Sequence, residues 1–320
     1  MRLIVDTDPA MGSLGGDPED CFALMLALAS PEVSVVGITV VQGNVPAEKG
    51  YGNAGHLLSL LDREDVPLRR GALRPLSSKR QRQISFLERR YKMEQVSPKR
   101  EPDEGEETAA QFLTRMVAAS PGEITIATIG PLTNIAEAIG LSTSFAENVK
   151  ELVMMGGSLD GGNITPAAEF NFWQDPDAAD VVFKSGIKMT MVGLNVCHQT
   201  ELRPHQVADL DPKNEALGSH IKTSTAPWFK VMGGGKDSKP LHLYDSLAVA
   251  ASFMPGLIEI EEAYLEMETG FGPAEGASVA HRNPILRMAF DKPEPNAHVA
   301  TAVDAEAFHR LFQERVLDKI

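Results

Sequence analysis

The sequence has few cysteines and no long apolar run. Cys21 and Cys197 are its only cysteines, and both lie in apolar segments. They cannot form a disulfide framework, so we expect two buried free thiols in a reducing compartment. No stretch approaches the roughly 20 apolar residues of a membrane span. The first apolar run, from Leu3 to Val5, meets Asp6 at once and is too short for a signal peptide. These absences predict a cytoplasmic protein without a membrane segment.

Positive charge is also scarce, and it is unevenly placed. The 320 residues carry a formal net charge of -14, which argues against nucleic acid or an anionic membrane as a partner. Residues 63–100 nevertheless contain twelve Lys or Arg against four acids, a local charge of +8. Because few aromatic residues interrupt this basic stretch, we interpret it as a solvated surface or an oligomer contact.

Apolar segments alternate between two periodicities along much of the chain. The predicted strands cover 3–5, 33–41, 66–69, 123–129, 149–155 and 188–192, and the predicted helices cover 20–30, 47–61, 107–119, 133–139 and 176–183. Such alternation predicts an α/β fold with a mainly parallel, doubly wound sheet and helices on both faces. Folds of this kind often reach 320 residues as one unit, so we expect a single domain over 1–320.

Two segments break the alternation. Residues 73–106 are charged and contain three prolines, and only 83–93 resembles a helix. Residues 223–240 read as irregular and include the run Gly233-Gly234-Gly235, which favours a mobile loop. We predict that both segments are surface insertions or lid loops. The triple glycine is not a phosphate-binding P-loop, because no strand precedes it and its spacing is wrong.

Polar and glycine residues follow five of the predicted strands. They are Asp6 and Asp8, the run 42–44, Gly130, the pair 156–157, and the run 193–195. Singly, each is an ordinary turn residue. Because ligands of parallel α/β sheets bind at the carboxyl ends of the strands, the five together predict an active site on that edge.

Carboxylates are crowded at the first of these strand ends. Asp6 and Asp8 are followed, after a glycine-rich loop, by Asp17-Pro18-Glu19-Asp20 at the start of a predicted helix. Like charges repel unless a cation lies between them, and Asp oxygens are preferred ligands of hard divalent cations. Asp17 also has a structural interpretation as the N-cap of the predicted helix, because an acid followed by proline commonly caps a helix.

Further motifs follow in a fixed order along nearly the whole chain. They are Ile129-Gly130-Pro131-Leu132-Thr133-Asn134, Met154-Met155-Gly156-Gly157, Ala168-Glu169-Phe170-Asn171-Phe172-Trp173-Gln174-Asp175-Pro176, Tyr244-Asp245-Ser246 and Asn296-Ala297-His298-Val299-Ala300. Together with Asp6-Thr7-Asp8-Pro9, these motifs resemble the nucleoside hydrolase family of inosine-uridine-type N-ribohydrolases. The resemblance implies Ca²⁺-dependent hydrolysis of a ribonucleoside to free base and ribose.

The resemblance also implies roles for particular residues. The implied metal ligands are Asp8, Asp20, the backbone carbonyl of Ile129, and Asp245. The implied ribose-binding residues are Asn44, Asn163, Glu169 and Asn171, whose side chains can grip hydroxyl groups. Asp6 is expected to support the metal site from behind.

The sequence departs from the family pattern at two catalytic positions. The family reads Asp-Pro-Gly-x-Asp-Asp, whereas five extra residues lengthen the loop here and the pair is Glu19-Asp20. Glu19 therefore takes the place of the general base, with Asp17 as its rival. Tyr244 stands where inosine-uridine-type members have a histidine, and His242 lies three residues before Asp245. We predict that Tyr244 and His242 assist the departing base.

Two other features remain open at this level. Trp228 and its neighbour Phe229 suit either stacking on a base or simple packing of a loop. His198, just past a strand, is interpreted as hydrogen-bonded structure and not as a catalyst. The expected partner is a small-molecule nucleoside, with no nucleic acid and no membrane, and the expected assembly is a homodimer or homotetramer.

Two other classes of function compete with this interpretation. Haloacid-dehalogenase-type phosphatases also place Asp-x-Asp after a strand, but they need Thr or Val four residues after the first Asp, where this chain has Ala10. The second alternative is a nucleoside- or sugar-binding relative with weak or no turnover. The changes at Glu19 and Tyr244 leave that alternative open.

Overall fold

A mostly parallel sheet organises the chain. The computed structural model describes residues 1–232, 239–289, 291 and 294–320. Within these residues nine strands form one sheet, namely β1 (Arg2–Thr7), β2 (Ser34–Val40), β3 (Leu68–Arg70), β4 (Ile124–Thr128), β5 (Glu151–Met155), β6 (Met189–Val192), β9 (Ile258–Met267), β10 (Ser278–His281) and β11 (Ala297–Val303). Their order across the sheet is β10-β9-β11-β6-β5-β4-β1-β2-β3. The short pair β7 (Glu201–Leu202) and β8 (Leu241–His242) forms a separate antiparallel ribbon.

Helices cover both faces of the sheet. They are α1 (Glu19–Ala29), α2 (Ala47–Leu60), α3 (Gln81–Arg90), α4 (Ala109–Ala119), α5 (Thr133–Leu141), α6 (Phe145–Asn148), α7 (Phe170–Gln174), α8 (Pro176–Phe183), α9 (Leu194–Cys197), α10 (Pro204–Ala208), α11 (Glu215–Met232), α12 (Tyr244–Phe253), α13 (Pro284–Ala289) and α14 (Ala305–Arg315). Short 3₁₀ turns lie at Pro255–Leu257 and Leu317–Lys319. The predicted single α/β domain is confirmed.

Alternating residues of β1 belong to two different cores. Leu3 and Val5 pack into one cluster with α1, α2 and α12, whereas Ile4 packs into the other with α4, α5 and α8. Successive side chains of a strand point to opposite faces, so a strand covered on both sides must be apolar throughout. This accounts for the unbroken apolar run before the first carboxylate.

The direction of winding reverses beside β1. The chain runs outward from β1 to β2 and β3, then crosses to the other side of β1 to form β4, β5 and β6. In open α/β sheets the crevice at such a switch point is the usual ligand site. The carboxylates that follow β1 therefore lie at the position that the topology favours.

The C-terminal third differs from the alternation upstream. Strand β11 pairs parallel with β6, but β9 pairs antiparallel with both β11 and β10, so the sheet ends in an antiparallel three-strand edge. The expected irregular stretch 223–240 is wrong over 223–232, because these residues belong to α11 and even Pro227 lies inside that helix. The predicted glycine loop at 233–235 lies outside the described residues. A lid role for this segment stays a prediction.

The basic segment 73–106 is more integrated than a surface insertion. Its helix α3 covers Gln81–Arg90, slightly earlier than the predicted 83–93. Arg80 is 2% exposed and donates to Asp177 at 2.6 and 2.7 Å and to Glu275 at 3.0 Å. Gln83 and Leu87 are also buried. The expectation of a solvated surface is therefore wrong for the inner side of this segment.

The state of the two cysteines and the character of the helices bear on the predictions made from composition. Cys21 and Cys197 are both buried and free, as expected. In the described part of the chain, no helix combines the length and the apolar character needed to cross a bilayer.

Candidate active site

A cavity of about 580 Å³ opens at the carboxyl edge of the sheet. Ten of the twelve residues predicted for the site line it, namely Glu19, Asn44, Ile129, Asn163, Glu169, Asn171, Trp228, His242, Tyr244 and Asp245. The remaining two, Asp8 and Asp20, are fully buried and hydrogen-bond to Asn44 of the lining. Residues from far apart in the sequence thus meet in one place.

Asp8 and Asp20 are held together by a dense set of donors. Thr7 Oγ1 donates to Asp20 Oδ1 at 2.6 Å, and the Asp8 amide donates to the same oxygen at 3.0 Å. Asn44 donates its amide to Asp8 Oδ2 at 2.5 Å and its side-chain Nδ2 to Asp20 Oδ2 at 3.1 Å. Burial raises the pKa of both carboxyls, and the neighbouring Asp20 charge raises that of Asp8 further. A cation would relieve this cost.

Glycines leave room for the Asp8 carboxylate. A Cβ atom at Gly43 would lie 2.0 Å from Asp8 Oδ2, and one at Gly130 would lie 2.9 Å from Asp8 Oδ1. The glycines after β2 and β4 are thus required by close approach, in addition to any role in turning the chain. Asp8 Oδ1 itself is buried and has no hydrogen-bond partner among the described residues. An unpartnered buried carboxylate oxygen is an available ligand atom.

Asp6 supports this arrangement from behind. Its Oδ1 accepts hydrogen bonds from Thr39 Oγ1 at 2.5 Å and Asn134 Nδ2 at 2.7 Å. Burial raises the pKa of Asp6 to about 7, although both hydrogen bonds act in the opposite direction. Asp6 therefore ties the end of β1 to β2 and to the start of α5.

The candidate metal ligands have the chemistry that a hard cation prefers. Asp8, Asp20, Asp245 and the Ile129 carbonyl offer only oxygen atoms, as Ca²⁺ and Mg²⁺ prefer. Burial and the charges of Glu19 and Asp20 raise the pKa of Asp245, as expected for crowded carboxylates. No group of three or more His, Cys, Asp or Glu residues in the described part of the chain has the geometry of a metal site. The unpartnered Asp8 oxygen is the feature that fits a cation.

Glu19 connects the acidic segment to α12. Its side chain is 1% exposed, and its Oε2 accepts from the Asp245 amide at 2.5 Å. Its Oε1 accepts from the Ser246 amide at 3.0 Å and from the Ser246 hydroxyl. Burial raises the pKa of Glu19 to about 7, against the opposing effect of these donors. Glu19 thus caps the first turn of α12 and sits beside Asp245.

Asp17 lies closer to solvent than Glu19. Its Oδ1 accepts from the Glu19 amide at 3.0 Å, but the predicted N-cap role is wrong, because α1 begins after Pro18 and Pro18 holds the N-cap position. Burial raises its pKa to about 7, and the charge of Arg90 acts in the opposite direction. Asp17 and Glu19 both line the cavity.

The predicted ribose-binding residues are fixed by backbone contacts. Glu169 accepts from the amides of Gly157 and Asn171 at 2.9 and 2.8 Å, and burial raises its pKa to about 7. Asn171 Nδ2 donates to the carbonyls of Ile129 and Met155 at 3.2 and 3.1 Å. Asn163 Oδ1 accepts from the Phe170 amide at 3.0 Å. These contacts hold the polar side chains against the ends of β4 and β5.

Aromatic rings form another part of the wall. His198, His242 and Tyr244, which we call the ring cluster, lie with their centroids 5.0, 5.6 and 5.8 Å apart. Trp228 is 8% exposed, lines the cavity from α11 and packs edge-on against Phe229 at 5.3 Å. His198, interpreted from the sequence as hydrogen-bonded structure, lines the cavity at the end of α9, and its place after β6 was the available signal.

Helix α3 supplies a wall that the sequence did not predict. The Phe86 ring lies 5.5 Å from the Phe170 ring, and the Arg90 guanidinium lies 5.1 Å from the centroid of Phe86. Phe86 and Arg90 both line the cavity. No motif marked them, because their place depends on how segment 73–106 folds back over the sheet.

A doubly wound sheet with carboxylates, amides and aromatic rings around a cavity at its carboxyl edge is typical of an α/β protein that binds a small polar ligand. The chain matches the family described as inosine-uridine preferring nucleoside hydrolase over residues 3–310. It belongs to that family and is a nucleoside hydrolase, an enzyme that hydrolyses ribonucleosides to base and ribose. Enzymes of this family generally depend on a metal.

Relatives with different named substrates resemble the chain over almost its full length. It is 31% identical over 326 residues to probable uridine nucleosidase 2 of Arabidopsis thaliana, covering 99% of this chain and 98% of that protein. It is 32% identical over 329 residues to the pyrimidine-specific ribonucleoside hydrolase RihA of Salmonella paratyphi A, covering 99% and 98%.

Solved structures agree with these matches. The plant nucleoside hydrolase PpNRh1 superposes with a TM-score of 0.84 at 28% identity, covering 99% of this chain and 98% of that one. A purine-preferring ribonucleoside hydrolase from Gardnerella vaginalis gives 0.80 at 27% identity, covering 100% and 99%. The relatives' names therefore span pyrimidine and purine substrates.

Proposed function

We propose that this enzyme hydrolyses the N-glycosidic bond of a ribonucleoside in a Ca²⁺-dependent reaction. The observation that carries the metal assignment is the buried Asp8 carboxylate, which has one unpartnered oxygen and two glycines packed around it. The proposed ligands are Asp8, Asp20, Asp245 and the Ile129 carbonyl. Bound Ca²⁺ would hold the ribose hydroxyls and the attacking water and would make that water more acidic.

Glu19 is the proposed general base. Its place beside Asp245 supports this role, as does a pKa raised to about 7, which suits proton transfer near neutrality. The amides of Asp245 and Ser246 and the Ser246 hydroxyl hold both of its oxygens at the start of α12, with the longest contact, 3.4 Å, between the Ser246 amide and Oε2. Asp17 is the rival, because it also faces the cavity.

The remaining proposed roles concern binding and the departing base. Asn44, Asn163, Glu169 and Asn171 are proposed to bind the ribose hydroxyls, and their place in the lining of the cavity supports this. Trp228 is proposed to stack on the base, while Tyr244 and His242 assist its departure. The transition state is oxocarbenium-like, so help for the leaving base lowers the barrier directly.

A nucleoside panel tests this function. The purified protein is incubated with uridine, cytidine, inosine, adenosine and guanosine, with and without added Ca²⁺, and free ribose is measured. Ribose release that depends on Ca²⁺ supports the proposal. Binding of a nucleoside without ribose release would instead favour a binding relative, and calorimetry with the same panel would detect it.

The assembly and the location stay predictions. A homodimer or homotetramer is expected, and light scattering of the purified protein would measure its mass. The cytoplasmic location is supported by the two buried free thiols.

A further inference from the structure

The ring cluster contains a histidine with free nitrogen atoms. The His198 ring contacts His242 and Tyr244 at 5.0 and 5.8 Å between centroids and lines the cavity. Neither His198 ring nitrogen hydrogen-bonds to any described residue, whereas Nδ1 of His242 lies 3.3 Å from the Thr200 carbonyl. His198 is also exposed. It can therefore reach a ligand on one side and exchange protons with water on the other.

Backbone contacts fix His198 in this position. The turn after α9 pairs with the strand that precedes α12, because the Leu243 amide donates to Thr200 O at 3.2 Å and Thr200 Oγ1 donates to Leu243 O at 3.2 Å. The β7–β8 ribbon continues this pairing, with Glu201 opposite His242. The contact between His198 and the two other rings is thus enforced by the fold and does not depend on a flexible side chain alone.

Tyr244 is poorly suited to be the acid by itself. A phenol has an ordinary pKa of about 10, so Tyr244 is a weak acid near neutrality. Burial lowers the pKa of His198, and the adjacent His242 lowers it further. The imidazolium is therefore the minor form of His198 near neutrality, and it is a stronger acid than an ordinary imidazolium.

We propose that His198 is a further catalytic residue, the general acid that protonates the departing base. The inference rests on the proposed hydrolysis of a ribonucleoside. As the C1′–N bond breaks, its electron pair passes to the base nitrogen, which takes a proton from the His198 imidazolium. The attacking water forms the C1′–O bond and gives its proton to the general base. His198 is then reprotonated from solvent.

A pair of substrates tests this assignment. The nucleoside that the wild-type enzyme cleaves fastest needs protonation of its base, whereas 4-nitrophenyl riboside releases a stable anion without an acid. His198→Gln is expected to lower kcat/KM for the nucleoside by about 100-fold, the usual contribution of general acid catalysis. The same variant is expected to cleave the nitrophenyl riboside at close to the wild-type rate. His56→Gln is the matched control, because His56 packs against His220 and does not line the cavity.

Each other outcome overturns the assignment. Equal losses on both substrates would make His198 a structural residue. An unchanged nucleoside rate in His198→Gln, with a selective loss in His242→Gln, would move the acid to His242. If the wild-type enzyme cleaves neither riboside, it is the proposed function that fails, and the binding of a nucleoside would then be measured instead.

Discussion

Two sides of the cavity differ in how the chain builds them. The strand-end side, formed by residues that follow β1, β2 and β4, carries Asp8 and Asn44 and is held by short hydrogen bonds between neighbouring strands. The α3 wall carries Phe86 and Arg90 and is held by the distant ion pairs of Arg80. The first side follows from local pattern and topology, and the second follows from contacts between segments almost 200 residues apart. The two sides therefore differ in how far local sequence pattern determines them.

The strongest test of the strand-end side removes its central carboxylate. Asp8→Ala is expected to abolish both Ca²⁺ binding and hydrolysis. The proposed cation would lose a buried ligand, and without the cation nothing would offset the repulsion between the remaining carboxylates. Calorimetric titration with Ca²⁺ and the ribose assay measure the two effects. The exposed Asp160 provides the control variant Asp160→Ala, which should match the wild type. Metal binding and activity retained in Asp8→Ala would refute the assigned ligand set.

The strand-end side could be predicted from the sequence, and the α3 wall could not. The strand ends were predicted because apolar runs and the residues after them have local signatures, and parallel strands bring those residues to one edge. The pairing of Arg80 with Asp177 and Glu275 leaves no such signature, since neither spacing nor periodicity links the three. Helix α11 was missed over 223–232 because Pro227 and the following glycines read as breakers, yet proline inside a helix is tolerated here.

The α3 wall should depend for its stability on Arg80. Arg80→Met leaves the Glu275 carboxylate, which is 3% exposed, without its buried cation, and we expect the free energy of unfolding to fall by about 3 kcal/mol. Denaturant unfolding followed by circular dichroism measures this. Arg82→Met is the control, since Arg82 approaches the same carboxylate at 3.5 Å but is 68% exposed. Equal effects of the two variants would show that burial of the pair is unimportant.

The general base can be assigned by comparing two isosteric variants. Glu19→Gln is expected to lower kcat by about 100-fold, whereas Asp17→Asn should lower it much less, because Glu19 contacts the Asp245 amide and Asp17 contacts the Glu19 amide instead. Single-turnover ribose release measures both. Thermal melting is recorded alongside, since Glu19 also holds the start of α12. A larger kinetic loss in Asp17→Asn would transfer the role to Asp17.

Arg90 tests whether the α3 wall contributes to substrate binding, and the expected effect is the smallest of those predicted here. Arg90 lines the cavity, and its Nη1 donates to Met93 Sδ at 3.4 Å. No ion pair joins Arg90 to a carboxylate among the described residues, so its other donors are available to substrate acceptors. Arg90→Met keeps an apolar stem over Phe86 and is expected to raise KM by about tenfold with little change in kcat, the value of one charged hydrogen bond. Arg89→Met is the matched control, because Arg89 lies 5.8 Å from the same ring but does not line the cavity. If both variants bind substrate as the wild type does, the α3 wall closes the cavity without contributing to recognition, and specificity must come from Trp228 and the ring cluster.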